Sequence, residues 1–215
     1  ASEIDITTRG VQFDMHYKNI TSRLNIPIPG LFSVFNAMGT AAVALSMGWT
    51  LDSIKGGLEN MMSVSGRLEP LPTGKHEFTV LLDYAHTPDA LENILKTVRV
   101  VTLFGCGGDR DHAKRPIMGE IGGRYSDFLV VTSDNPRTEQ PMAIIDDILE
   151  GVKKSGCEHV VIENRREAIR YVLEHAHKND VIILAGKGHE NYQEINGGKH
   201  HFDEKEIVAE ILGTN

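Results

Sequence analysis

Short apolar runs recur through most of the chain, each separated from the next by a stretch with helical spacing. The runs fall at residues 78–82, 99–104, 128–131, 159–162 and 181–184. Unbroken apolar strands of this length are buried on both faces, which requires a mainly parallel sheet covered by helices. Helices are expected over 114–125, 141–153 and 165–176. Another is expected to start at Thr87-Pro88, a capping hydroxyl followed by proline at the first helical position. Right-handed crossovers between such units build an α/β, Rossmann-like domain. Asn196-Gly197-Gly198, between residues 192–195 and 199–202, signals a hairpin, and Asp203 is placed to cap a last helix.

The first third has a different rhythm. Residues 11–17 alternate apolar and polar, and so do residues 23–29, which predicts a half-buried hairpin with Pro27 and Pro29 near an edge or strand end. An Ala- and Met-rich helix is expected over 31–47 and a second over 51–62, with Asp52 near its positive end. A hairpin and two helices bury little core by themselves, so this part is expected to be the tail of a larger domain. Residues 65–74 hold two glycines and two prolines, the composition of a boundary. The expected division is therefore 1–65 and 66–215. Within the boundary, Arg67 and Glu69 can pair on the surface, or Arg67 can reach a phosphate or ribose. Asn36, the one amide near an apolar helix start, can serve a helix-end hydrogen bond or a ligand.

Composition removes several classes of function. The net charge of −8 gives no footprint for nucleic acid. Cys106 and Cys157 form neither a disulfide framework nor a C-x-x-C metal pair, and a reduced, cytoplasmic setting is the simplest expectation. No apolar run is long enough to cross a membrane, and no basic-then-apolar leader is seen at the N-terminus.

The candidate chemistry sits where strands end. Polar clusters follow four of the apolar runs, at residues 83–89, 105–111, 134–137 and 186–190, and in a parallel sheet all four lie along one rim. The sharpest is Asp134-Asn135-Pro136-Arg137, a carboxylate, an amide and a guanidinium on one proline-stiffened turn. Such a turn suits a zwitterion, Asp134 taking an ammonium and Arg137 a carboxylate; as a bare tetrapeptide it can equally be a surface turn. Gly105-Cys106-Gly107-Gly108-Asp109-Arg110 is only part of a dinucleotide fingerprint, because Arg110 replaces the third glycine. No G-x-x-x-x-G-K-[ST] occurs, and Gln193 stands where H-E-x-x-H needs its second histidine. The set favours recognition of an amino acid over nucleophilic catalysis.

Taken in order, G-R-L-E at 66–69, L-D-Y-A-H-T-P-D at 82–89, G-C-G-G-D-R-D at 105–111, S-D-N-P-R at 133–137 and G-K-G-H-E at 186–190 resemble the Mur ligases of peptidoglycan synthesis. The resemblance covers essentially the whole chain and points to the carboxyl-terminal portion: the tail of a central ATP-binding domain, then the C-terminal Rossmann-like domain. It implies an ATP-dependent ligase that activates a UDP-N-acetylmuramoyl-dipeptide as an acyl phosphate, with Mg²⁺, and joins it to the amine of meso-diaminopimelate. By resemblance Asn36, Arg67, Asp83 and His86 face ATP, although Ser33 replaces an asparagine common three residues earlier. Arg110, Asp134, Asn135, Arg137, Gly186 and Glu190 match the amino-acid pocket. The D-N-P-R form is similar to the enzymes that take meso-diaminopimelate, whose distal carboxylate L-lysine lacks. Neither the P-loop nor metal ligands fall within these residues, so none here is expected to be catalytic or metal-binding and the chain alone is not expected to turn over. The alternative from the residues themselves is a stand-alone amino-acid-binding module.

Overall fold

The computed structural model describes residues 1–7, 10–28, 30–61, 65, 66, 68–84 and 100–214. The chain divides into two compact units, Ala1–Val64 and Ser65–Asn215. The helix expected from Thr87, together with Arg67 and His86, lies outside the described residues.

In the first unit, strands β1 (Ser2–Thr7), β2 (Gly10–Tyr17) and β3 (Ile20–Ile26) form an antiparallel sheet in that order. The alternation read in β2 and β3 is the cause of their register. Val11 pairs with Ile26 and Phe13 with Leu24, so all four point to one face. That face packs on helix α1 (Leu31–Ser46) through Val34, Ala37 and Ala41, and on α2 (Leu51–Glu59) through Ile54 and Leu58. Thr50 caps α2 by accepting from the Ser53 amide. The expected hairpin is thus two strands of three. β1 escapes a pattern reading because it lies at the edge and Ile4 remains 42% exposed.

The second unit holds a six-stranded sheet in the order β4-β5-β9-β6-β7-β8. Its strands are β4 (Glu69–Leu71), β5 (Thr79–Asp83), β6 (Val100–Phe104), β7 (Phe128–Val131), β8 (His159–Val161) and β9 (Val181–Ala185). All neighbours are parallel except β4, which runs antiparallel to β5. The boundary segment therefore supplies an edge strand, where Pro70 lacks the N–H an inner ladder would need. Helices α3 (Lys114–Tyr125), α4 (Pro141–Ser155) and α5 (Arg165–Glu174) connect successive strands, and α6 (Glu204–Leu212) closes the unit.

One sheet face, with Val80, Leu82, Leu103, Val130, Ile182 and Leu184, packs against Ala168, Ile169 and Val172 of α5 and Ile207 and Val208 of α6. On the other side Gly122 of α3 lies against Phe104 and Leu129. Helices α3 and α4 meet backbone to backbone. A Cβ on Gly119 would fall 2.0 Å from the Ile148 carbonyl oxygen, and one on Gly151 would fall 1.7 Å from that of Pro116. A two-stranded hairpin, β10 (Tyr192–Ile195) and β11 (Gly198–His201), turns at Asn196 and Gly197, both at positive φ. Asp203 caps α6 by accepting from Lys205 N–H.

Candidate functional site

Strands β5, β9, β6 and β7 are consecutive neighbours and parallel, so the segments after Asp83, Ala185, Phe104 and Val131 emerge side by side. Two of these segments are fused. A Cβ on Gly105 would fall 2.3 Å from the Thr132 carbonyl oxygen, and one on Gly108 would fall 1.9 Å from that of Pro136. The Gly108 amide donates to the Asn135 carbonyl at 2.8 Å. These glycines serve a close backbone approach between loops, which explains a glycine-rich stretch that fits no dinucleotide fingerprint.

At the centre lies Lys187, with no exposed surface. Its Nζ donates to Asn135 Oδ1 at 3.0 Å and to the Tyr192 carbonyl at 2.7 Å. The carboxylates of Asp134 and Glu190 stand 3.4 and 3.7 Å away. A buried ammonium needs such partners. Asn135 is held on both ends: Oδ1 also accepts from Glu194 N–H at 2.9 Å, and Nδ2 donates to Glu190 Oε2 at 2.9 Å. Two donors on one side and a carboxylate on the other fix which way the amide faces. Asp134 Oδ1 is buried and makes no hydrogen bond, and Lys187 Nζ, 3.4 Å away, balances its charge. Tyr84 stands beside Glu190, and burial together with that carboxylate pushes its phenol up.

Arg137 occupies the left-handed region, φ 54°. Its Nε donates to Glu194 Oε2 at 3.1 Å and its Nη1 to the Gly108 carbonyl at 2.7 Å. Arg110 is exposed and donates only to the Asp109 carbonyl, at 3.3 Å, among the described residues. Gly107 separates the two arginines. A Cβ there would stand 2.8 Å from Arg137 Nη1 and 3.8 Å from Arg110 Cγ. Beneath this loop Arg115, 1% exposed, donates to Glu139, Asp147 and the Gly107 carbonyl. The Arg115 hydrogen bond holds Glu139 well below the usual carboxylate range, at about 2.

Asp83 is buried at the end of β5, and its Oδ2 accepts from Leu68 N–H at 2.7 Å. That carboxylate anchors the chain at Leu68. Gly186, at φ 114°, donates its N–H to the Asp83 carbonyl at 3.0 Å. Glu69 accepts from Gly66 N–H and Lys205 Nζ, both at 2.8 Å. Asn36, in the first unit, is exposed on α1 and its side chain makes no hydrogen bond among the described residues, so the helix-end bond is not formed. Cys106 is buried and its thiol pushed up to about 12 by burial, which removes it as a nucleophile.

The structure thus brings Asp134, Asn135, Arg137, Gly186 and Glu190 to one rim, with Arg110 beside Gly107. Residues 66–188, more than half of the chain, match the family described as Mur ligase, glutamate ligase domain.

The chain belongs to the Mur ligase family.

Among curated Mur ligases, the UDP-N-acetylmuramoyl-L-alanyl-D-glutamate–2,6-diaminopimelate ligase of Caldanaerobacter subterraneus subsp. tengcongensis is 50% identical over 100% of this chain and 45% of its own length. Ligase 1 of the same description from Clostridium acetobutylicum is 48% identical over 99% of this chain and 45% of its own length. A solved 2,6-diaminopimelate ligase superposes with a TM-score of 0.74 at 36% identity, covering 99% of this chain and 45% of that one. The chain therefore spans less than half the length of these Mur ligase relatives. Sequence reasoning missed Lys187, Glu194 and Arg115 in this family's fold. Lysine between two glycines at a strand end was the signal for the first. Nothing local marks the other two, whose partners lie 57 and 24 residues away.

Proposed function

We propose that this chain is the amino-acid-binding portion of an ATP-dependent ligase that adds meso-diaminopimelate to UDP-N-acetylmuramoyl-L-Ala-D-Glu in cytoplasmic peptidoglycan synthesis. The observation that carries the reading is the pairing of opposite charges on one rim. Asp134 and Glu190 bring two carboxylates to the buried Lys187, at 3.4 and 3.7 Å from its Nζ, and three residues on from Asp134, Arg137 offers guanidinium hydrogens. A zwitterionic end of the amino acid fits that pair: ammonium at Asp134 and Glu190, distal carboxylate at Arg137, with Arg110 adjacent. L-lysine brings no carboxylate there and would leave Arg137 short of its partner. The names of the relatives above support the same substrate.

In this reading ATP supplies the phosphoryl group that activates the dipeptide carboxylate. The resemblance assigns Asn36, Arg67, Asp83 and His86 to the nucleotide. For Mg²⁺ the fit is not met here: the described residues contain no group of three or more His, Cys, Asp or Glu that could hold a metal. No step of this chain is routed through it. Among the described residues no helix is long and apolar enough to cross a membrane.

The test is phosphate release by the full-length ligase with ATP, UDP-N-acetylmuramoyl-dipeptide and either amino acid. Turnover with meso-diaminopimelate at more than ~100-fold the kcat/KM for L-lysine is expected, the discrimination a site gains from one specifically paired polar group. Equal use of both overturns the substrate. The chain by itself is expected to give no turnover in the same assay.

A further inference from the structure

The hairpin β10–β11 is stitched to the 134–137 loop by backbone and side-chain hydrogen bonds. Gln193 Nε2 donates to the Asp134 carbonyl at 2.6 Å, and Glu194 N–H to Asn135 Oδ1 at 2.9 Å. Arg137 N–H donates to the Glu194 carbonyl at 3.0 Å, and Asn196 N–H to the Arg137 carbonyl at 2.7 Å. Arg137 and Ile195 form a parallel bridge. This register brings Glu194 alongside Arg137, and its Oε2 sits 3.1 Å from Arg137 Nε.

A guanidinium has five N–H donors in a rigid plane. Glu194 takes the one on Nε with a single oxygen, and the Gly108 carbonyl takes one on Nη1. Nη2 has no partner among the described residues, so the Nη1 and Nη2 end of the plane keeps hydrogens for a carboxylate. Both side chains are partly covered, Arg137 at 19% and Glu194 at 27% exposure, which separates this pair from a loose surface contact.

We propose that Glu194 is a positioning residue for amino-acid selection: by fixing Arg137 through Nε it aims the Nη1 and Nη2 end at the distal carboxylate of the incoming amino acid. Glu194 touches no reacting atom. It acts through Arg137, so its effect is confined to the ligand that has a carboxylate at that end. The proposal rests on the substrate reading above and adds the residue that enforces it.

The experiment uses the full-length ligase with Glu194→Gln, Glu194→Ala and Glu194→Asp, measuring kcat and KM for meso-diaminopimelate and kcat/KM for L-lysine. The expected result is a KM for meso-diaminopimelate raised about 10-fold in the Ala variant, with kcat changed much less. The ratio of the two kcat/KM values should fall, and the Asp variant should recover part of it. An unchanged KM overturns the proposal. An equal loss for both amino acids also overturns it, since that marks general damage, and a lower KM would make Glu194 a competitor of the substrate. Wild-type enzyme that prefers L-lysine defeats the substrate reading itself. Wild-type enzyme that prefers meso-diaminopimelate, with variants unchanged, defeats only the role of Glu194.

Discussion

Gly107 leaves room for the guanidinium of Arg137: a methyl group at residue 107 would stand 2.8 Å from Nη1. The obstructed atom is the far end of a flexible side chain, and Gly107 is not at positive φ. Gly107→Ala should therefore fold normally and displace only the guanidinium; on the substrate reading proposed above, it raises the KM for meso-diaminopimelate by roughly 10-fold. Gly108→Ala makes the contrast. Its Cβ would fall 1.9 Å from the Pro136 carbonyl oxygen, which cannot swing away. That variant should lose thermal stability, and melting curves of the two proteins separate the cases.

Arg165 and Glu204 pair at 2.8 Å with neither side chain exposed, and Arg165 Nη2 donates to the Ala185 carbonyl, one residue before Gly186. Arg165 Nη1 and Glu204 Oε2 have no hydrogen-bond partner. Burial pushes the Glu204 carboxyl up while Arg165 opposes it. Arg165→Met alone should cost about 3–5 kcal/mol, because it strands the carboxyl in the core. A fall in melting temperature on the order of 10 °C would show it. Replacing both partners by apolar residues should restore much of that loss.

Acid should weaken the protein through Glu139. Its folded pKa, about 2, lies below the ordinary 4.5, so its contribution is complete above 4.5 and is lost as pH falls through 2. Glu139→Gln should lower stability at neutral pH and flatten the decline between those two values. Denaturant unfolding at pH 7, 4 and 2.5 checks both parts. An unchanged slope would mean that Arg115 finds sufficient partners in Asp147 and the Gly107 carbonyl.

The apolar runs made the parallel sheet legible because strands buried on both faces have no polar positions to confuse their period. Helix α3 was readable from its apolar spacing, and the Asn196-Gly197 turn also declared itself. Strand β4 did not, because three residues with a central proline look like a linker until Leu82 and Leu81 are seen opposite Glu69 and Pro70. At the rim, Asp134 and Arg137 were visible as chemistry on one turn. Their supports were not. The burial of Lys187 depends on a carbonyl from the hairpin and a side-chain amide 52 residues away, and no window of sequence contains both. The glycines at 105 and 108 matched no cofactor signature, and their reason, a second backbone pressed against them, is likewise nonlocal.

The touching backbones of α3 and α4 have a consequence for the rim. Each helix is entered from one of the two fused loops, 105–113 and 132–140. With Gly119 and Gly151 as the points of contact, sliding either helix by one residue would drive a side chain into a carbonyl. The loops therefore share one mount and keep a common alignment, so the backbone at Arg110 and Arg137 keeps its spacing. The same lock closes residues 119 and 151 to every amino acid but glycine, and drift in this surface must pass around them.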